Sequence, residues 1–150
     1  PITELFKSFE DTPLAAASIA QVHSAVLPTG EEVVVKVQRP GLAKIINQDV
    51  ALLEFLAKLL EKYVPETRIV GPTVVVDEFF RTLKQELDFK IEANNISRIS
   101  DNLKTFVDIR IPKVYKSHST MHVVTMERFR GTPMNDVAAL RARTDINLKK

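Results

Sequence analysis

Lys36 stands inside Val33-Val34-Val35-Lys36-Val37, a run whose contiguous valines suit a strand packed on both faces. An ammonium placed there needs an anionic partner, because burial strips its hydration and the valines return nothing for it. A phosphate of a nucleotide such as ATP answers that need. Upstream lies Ala15-Ala16-Ala17-Ser18, a loop of small side chains that a ligand can approach closely. Glycines would serve such a loop better, since they lack Cβ and visit positive φ freely, and alanines allow much less of that. Ser18 offers a hydroxyl that either donates to a phosphate or caps a local turn. No G-x-G-x-x-G and no G-x-x-x-x-G-K-[ST] occurs, and Gly30, Gly41, Gly71 and Gly131 are scattered.

The elements that must position these groups follow from hydrophobic periodicity. Residues 20–27 and 31–38 read as two strands joined at Pro28-Thr29-Gly30, a turn with a pre-set φ and a flexible position. Gln21 and His23 alternate along the first and point to one side of it. After Pro40-Gly41 the period changes to that of a helix. Ile46, Val50, Leu53, Ala57 and Leu60 form a stripe that Leu52, Leu56 and Leu59 widen, so this helix is expected to pack on two sides. A loop through Pro65 and Gly71-Pro72 ends it. A second helix is expected over residues 73–102, capped by Thr73, with Val76, Phe80, Leu83, Leu87 and Ile91 on one face. Ile109–Val114 and His122–Met126 read as two further strands about the turn His118-Ser119-Thr120. The histidines have neither cysteine neighbours nor H-E-x-x-H spacing, so no metal site is expected.

Three acids on the second helix, Glu86, Asp88 and Glu92, are available to Lys36. At ~100° per residue Asp88 and Glu92 share a face while Glu86 lies roughly 240° away from Glu92, so one continuous helix cannot give all three a single task. The alternative for any of them is a solvated helix face. Lys36 itself has the alternative of an edge-strand lysine that reaches into water.

The alanine-rich loop precedes the strand lysine by about twenty residues, the separation at which a protein kinase places its phosphate-covering loop. Pro13-Leu14-Ala15-Ala16-Ala17-Ser18-Ile19-Ala20-Gln21-Val22-His23, followed by Val35-Lys36-Val37-Gln38-Arg39-Pro40, resembles the UbiB family of atypical kinase-like proteins. Gln85-Glu86-Leu87-Asp88-Phe89-Lys90-Ile91-Glu92-Ala93-Asn94 resembles that family's E-x-D helix, and Val124-Thr125-Met126-Glu127-Arg128-Phe129-Arg130-Gly131 its strand-to-hinge segment. The likeness runs in order along nearly the whole chain, and Gly131–Leu140 looks closest to the bacterial ubiquinone-biosynthesis members.

The resemblance implies an α+β fold, a kinase-like small lobe built as an antiparallel sheet with a long inserted helix over 41–63 and a helix over 73–102 equivalent to kinase αC. The lobe would occupy residues 1–131, with the alanine-rich loop at 13–23, the strand lysine at 33–37 and the strand to the hinge at 121–131. Residues 132–150 would begin a C-terminal lobe. The resemblance further implies that Lys36 holds the phosphates of Mg²⁺-bound ATP or ADP, that Glu92 orients Lys36, and that Ala15, Ala16, Ala17, Ser18 and Val22 lie along the nucleotide. Backbone groups at Met126 and Glu127 would meet adenine, and Glu86 and Asp88 would form the E-x-D element that contacts an upstream K-x-G-Q segment. It places the whole protein in ubiquinone biosynthesis, at the cytoplasmic side of the bacterial inner membrane, beside isoprenoid lipid intermediates and other proteins of that pathway. A non-catalytic scaffold that binds such partners or lipids is the alternative.

Absences limit the chemistry expected of this stretch. Neither an H-R-D-x-x-x-x-N loop nor a D-F-G aspartate is present, and Asp88-Phe89-Lys90 only imitates the latter. The metal ligands are therefore expected from the second lobe, and the chain by itself is expected to transfer no phosphate. It begins with Pro and reads as a piece of a longer protein. At 150 residues and 45% hydrophobic content it can bury one core, and it is expected to be soluble. A net charge of +2 with interspersed signs gives no reason for a nucleic-acid partner. Cysteine is absent, which excludes disulfides and thiol chemistry. No apolar stretch of ~18 residues and no basic leader precedes an apolar segment.

Overall fold

The computed structural model describes residues 1–132, 134 and 136–143. Along the chain these form α1 (Ile2–Leu5), β1 (Ser8–Phe9), β2 (Ala15–Ala16), β3 (Ala20–Val26), β4 (Glu32–Gln38), α2 (Leu42–Tyr63), α3 (Pro72–Glu86), α4 (Phe89–Asn102), β5 (Val123–Glu127) and α5 (Val137–Ala142). Short 3-10 turns lie at Pro65–Ile69 and Lys116–His118. The expected hairpin is present as β3 and β4. It turns at Gly30, whose φ of 97° is one that only glycine adopts without strain. The antiparallel sheet has the order β1-β3-β4-β5, and β2 pairs with the other end of β3.

The two-residue period of β4 divides its side chains between two cores. Val33 and Val35 point into a cluster with Phe6, Ala25 and Leu27, against which Val37, Tyr115 and Val123 pack. The opposite face is covered by α4, where Phe89 and Ala93 meet Ala20 and Val124, with Ile19, Val114 and Met126 alongside. Both faces being covered explains why the strand is a nearly unbroken run of valine. Lys36 is on the α4 side.

Four expectations need correction, the fourth being the two-sided packing of the inserted helix. The helix expected over 73–102 is two helices. Leu87 closes α3 and Asp88, at φ −95° and ψ 95°, is extended and caps α4, its carboxylate accepting from the Lys90 N–H at 2.9 Å. Aspartate is a poor interior helix residue and a strong N-cap because its short acceptor reaches free amides of the first turn. Thr73 is not the cap of α3. That helix starts from Gly71, in the left-handed region at φ 63°, with Pro72 at its first position. Thr73 instead donates its N–H and hydroxyl to Glu61 on α2, at 3.0 and 2.7 Å. Of Ile109–Val114 only Val114 joins the sheet, bridging Met126. Pro112 has no N–H for a ladder, which leaves too little chain to pair.

The inserted helix runs Leu42–Tyr63 and buries Ile46, Val50 and Ala57. It packs along α3 on one side only, since Leu52, Leu56 and Leu59 face solvent. Among the described residues no helix is long and apolar enough to cross a membrane. Pro133, Asn135 and residues 144–150, in the stretch expected to begin a second lobe, lie outside the described residues.

The Thr73 donors hold the Glu61 carboxyl below the ordinary glutamate range, the backbone N–H contributing first and the hydroxyl second. A carboxyl lowered by folding stabilises above its unfolded pKa, and that contribution disappears as pH falls through the lowered folded value. The α2–α3 pair should therefore loosen below the ordinary glutamate range. Urea unfolding followed by circular dichroism from pH 6 downward should show this, and Glu61→Gln should flatten the acid limb.

Candidate functional site

Packing of α4 across β4 brings Lys36 onto Glu92, one turn into the helix. Lys36 Nζ donates to Oε2 at 2.7 Å and to Oε1 at 2.9 Å. Phe89 lies three residues earlier on the same helical face, fully buried, with its ring centroid 4.6 Å from Nζ. The ammonium is thus held between an aromatic face and a carboxylate, an arrangement that gives it partners on two sides without closing it off. The lysine and glutamate side chains retain 26% and 35% of their exposure, so a further anion has access.

The break at Leu87-Asp88 changes how the three acids relate. Wheel geometry for a continuous helix sends Glu86 away from Glu92, but the extended residue between α3 and α4 redirects the chain. Glu86, Asp88 and Glu92 all line one open cleft of about 420 Å³ with Lys36, and Gln85 and Asn95 share its wall. Glu92 alone of the three makes an ion pair with Lys36 among the described residues.

The alanine-rich loop is organised by the sheet. Ala15 pairs with Val22, Val22 with Lys36, and Lys36 with Val124, so these four form one row across β2, β3, β4 and β5. Ala15, Ala16, Ala17 and Ser18 are exposed. The loop is tied down by its own backbone, the Ala17 N–H donating to the Ala20 carbonyl at 2.8 Å. Arg39 Nε donates to the Ala17 carbonyl at 2.9 Å, and the Arg39 N–H donates to the Ile19 carbonyl at 2.9 Å. Met126, opposite Val34, lies on the same sheet face as Lys36 and Val22. Glu127, opposite Val33, presents its carboxylate on the other face, to Arg110 and the Lys113 N–H. Its own N–H donates to the Lys113 carbonyl at 2.8 Å.

Phe89, Gln38 and Arg39 were not singled out from the sequence. Phe89 looked like part of a continuous helix, and reading Asp88 as an N-cap would have placed it at a helix start facing the sheet. Arg39 gives no such signal, because nothing local ties an exposed arginine to a loop 22 residues upstream.

Residues 1–149 match the ABC1 atypical kinase-like domain. The chain belongs to that family. It is 42% identical to a probable protein kinase UbiB of Marinobacter nauticus over 149 residues, 99% of this chain and 27% of that protein. Identity to a probable protein kinase UbiB of Pseudomonas fluorescens is 43% over 148 residues, 98% of this chain and 28% of the other. An uncharacterised Synechocystis protein is 41% identical over 98% of this chain and 26% of its own length. Among solved structures, the erythromycin complex of Rv3197 from Mycobacterium tuberculosis superposes with a TM-score of 0.71 at 36% identity, over 88% of this chain and 32% of that one. The fold is accordingly a kinase-like small lobe, an antiparallel sheet with helices.

Phe89 carries both the packing of α4 and the floor beneath Lys36. Phe89→Ala should cost about 3–5 kcal/mol, the range for emptying a buried aromatic site, as measured by urea unfolding of the chain.

Proposed function

We propose that this chain is the nucleotide-gripping lobe of an ATP-dependent kinase-like protein. The observation that carries the reading is the Lys36–Glu92 pair, 2.7 Å apart and still open to solvent. A buried pair built for stability alone would be closed off and fully satisfied, whereas here the ammonium keeps a free approach. In this reading Lys36 neutralises the α- and β-phosphates, Glu92 fixes the direction of Lys36, and the Ala15–Ser18 loop covers the phosphates. Val22 and Met126, on the same sheet face, offer apolar surface to the base.

The donor set fits Mg²⁺-ATP or Mg²⁺-ADP better than a bare nucleotide. Three carboxylates face one ammonium in the cleft, so an unaccompanied polyphosphate would meet a surplus of negative charge. Bound Mg²⁺ neutralises phosphate charge in phosphoryl transfer, and its ligands would come from a second lobe. The relatives extend well beyond the length matched here, which leaves room for such a lobe. Glu86 and Asp88, beside the ammonium, would meet a segment of that longer protein.

The name UbiB on the relatives supports a role for the whole protein in ubiquinone biosynthesis; in this reading it would work beside isoprenoid lipids and partner proteins at the cytoplasmic face of the inner membrane. A scaffold reading has one observation in its favour. The Ala17 N–H and the Leu14 N–H, groups that a phosphate-covering loop would aim at its ligand, are engaged by Ala20 and Val22 carbonyls.

Calorimetry with Mg²⁺-ATP and Mg²⁺-ADP on a protein of the relatives' length separates the two. Binding that Lys36→Met weakens by at least about tenfold, the loss expected for a charge-assisted phosphate contact, supports the nucleotide reading. Absence of binding in the unsubstituted protein would falsify it and leave the scaffold.

A further inference from the structure

Two side chains of β4, not one, reach across to the helical segment opposite: Lys36 to Glu92 on α4, and Gln38 to the joint just before α4. Gln38 lies two residues beyond Lys36 on the same face, and its Nε2 donates to the Leu87 carbonyl at 3.1 Å. Leu87 ends α3, where carbonyls have run out of helical donors and need others. The Gln38 amide is itself oriented, because His122 Nδ1 lies 2.6 Å from its Oε1. One assignment satisfies both contacts: His122 Nδ1–H donates to Gln38 Oε1, and Gln38 Nε2–H donates to the Leu87 carbonyl. Turning the amide over would set its oxygen against the Leu87 carbonyl, acceptor against acceptor.

Backbone bonds brace the same corner. The Gln38 N–H donates to the His122 carbonyl at 2.9 Å, and the Phe89 N–H donates to the Met121 carbonyl at 3.0 Å. The joint between α3 and α4 is therefore pinned to the end of β4 and to the two residues that lead into β5. Beyond the joint, α4 buries Phe89 in its first turn and then only Ala93, so its hold on the sheet is concentrated at the end that the joint positions. A rotation by one residue, ~100°, would carry Glu92 off Lys36.

We infer that Gln38 is a positioning residue of this site: the chain His122–Gln38–Leu87 fixes where α4 starts and so holds Glu92 on Lys36. The consequence for ligand binding rests on the nucleotide reading above. Lys36 and Gln38 form a pair of clamps two residues apart on the strand, and they grip Glu92 and Leu87, five residues apart on the opposing chain. Releasing the second clamp loosens the first.

Gln38→Met keeps length and volume and removes both polar atoms, while Gln38→Glu keeps the acceptor for His122 and sets an oxygen against Leu87. Mg²⁺-ADP affinity is measured by calorimetry on a protein of the relatives' length, for Gln38→Met, Glu92→Gln and the double variant. Amide hydrogen exchange is followed in the same proteins. Gln38→Met is expected to weaken binding about five- to twentyfold alone and less than about twofold in the Glu92→Gln background, because coupled residues are non-additive. Gln38→Glu is expected to weaken it further. Amides of residues 88–95 should exchange faster in Gln38→Met while those of the β3–β4 hairpin hold. Equal losses in both backgrounds, or unchanged exchange over 88–95, would overturn the assignment. If the unsubstituted protein binds no Mg²⁺-ADP, the nucleotide reading fails by itself, and the exchange result still decides whether Gln38 sets the position of α4.

Discussion

A lysine in the middle of a sheet covered on both sides has to be given a counter-charge, and the geometry of this lobe is arranged around how that is done. Lys36 cannot pair within its own strand, whose neighbours are valines, so the carboxylate must come from another element lying across the sheet. That element is α4, and its placement requires a buried anchor, Phe89, an N-cap, Asp88, and a small residue, Ala93, where helix and sheet approach. The ammonium stays partly exposed because the helix meets it from one side only. The remaining coordination of its three protons is left to whatever enters the cleft.

The two faces of β4 do different work. Val33 and Val35 close a conventional apolar core with Phe6 and Leu27, which fixes the register of the hairpin. The other face carries the polar groups, and a slip of one residue would send Lys36 into that apolar core and a valine toward Glu92. Packing on one face thus fixes where Lys36 stands on the other. Because the register also places Ala15 and Val22 in the row of Lys36, the alanine-rich loop inherits its position from the same pairing.

Much of this was legible in the residues. Alternation and the Pro28-Thr29-Gly30 turn disclosed the hairpin, the valine run disclosed a strand buried on both faces, and the helical stripe after Gly41 disclosed α2. The break between α3 and α4 was not legible from periodicity, since Leu83, Leu87 and Ile91 keep helical spacing straight through it. A change of dihedral angles at one residue leaves the apolar pattern intact, and only the N-cap preference of Asp88 hints at it. The same blindness separated Glu86 from the cleft. Ile109–Val114 misled in the opposite way, with strand-like residues whose proline denies them a ladder. Gln38 and His122, 84 residues apart, meet only because the sheet brings the end of one strand beside the approach to another.

The joint at Leu87-Asp88 also gives the lobe a mechanical character. α3 has 15 residues and so extends about 22 Å from the joint, with α2 packed along it. A displacement of roughly 4 Å at its far end, near Pro72, corresponds to a tilt of about 10° at Asp88 for an arm of that length. The helical hairpin is therefore a long arm whose base is pinned beside the ammonium, so a tilt of the arm and the hold on Glu92 share one small set of contacts.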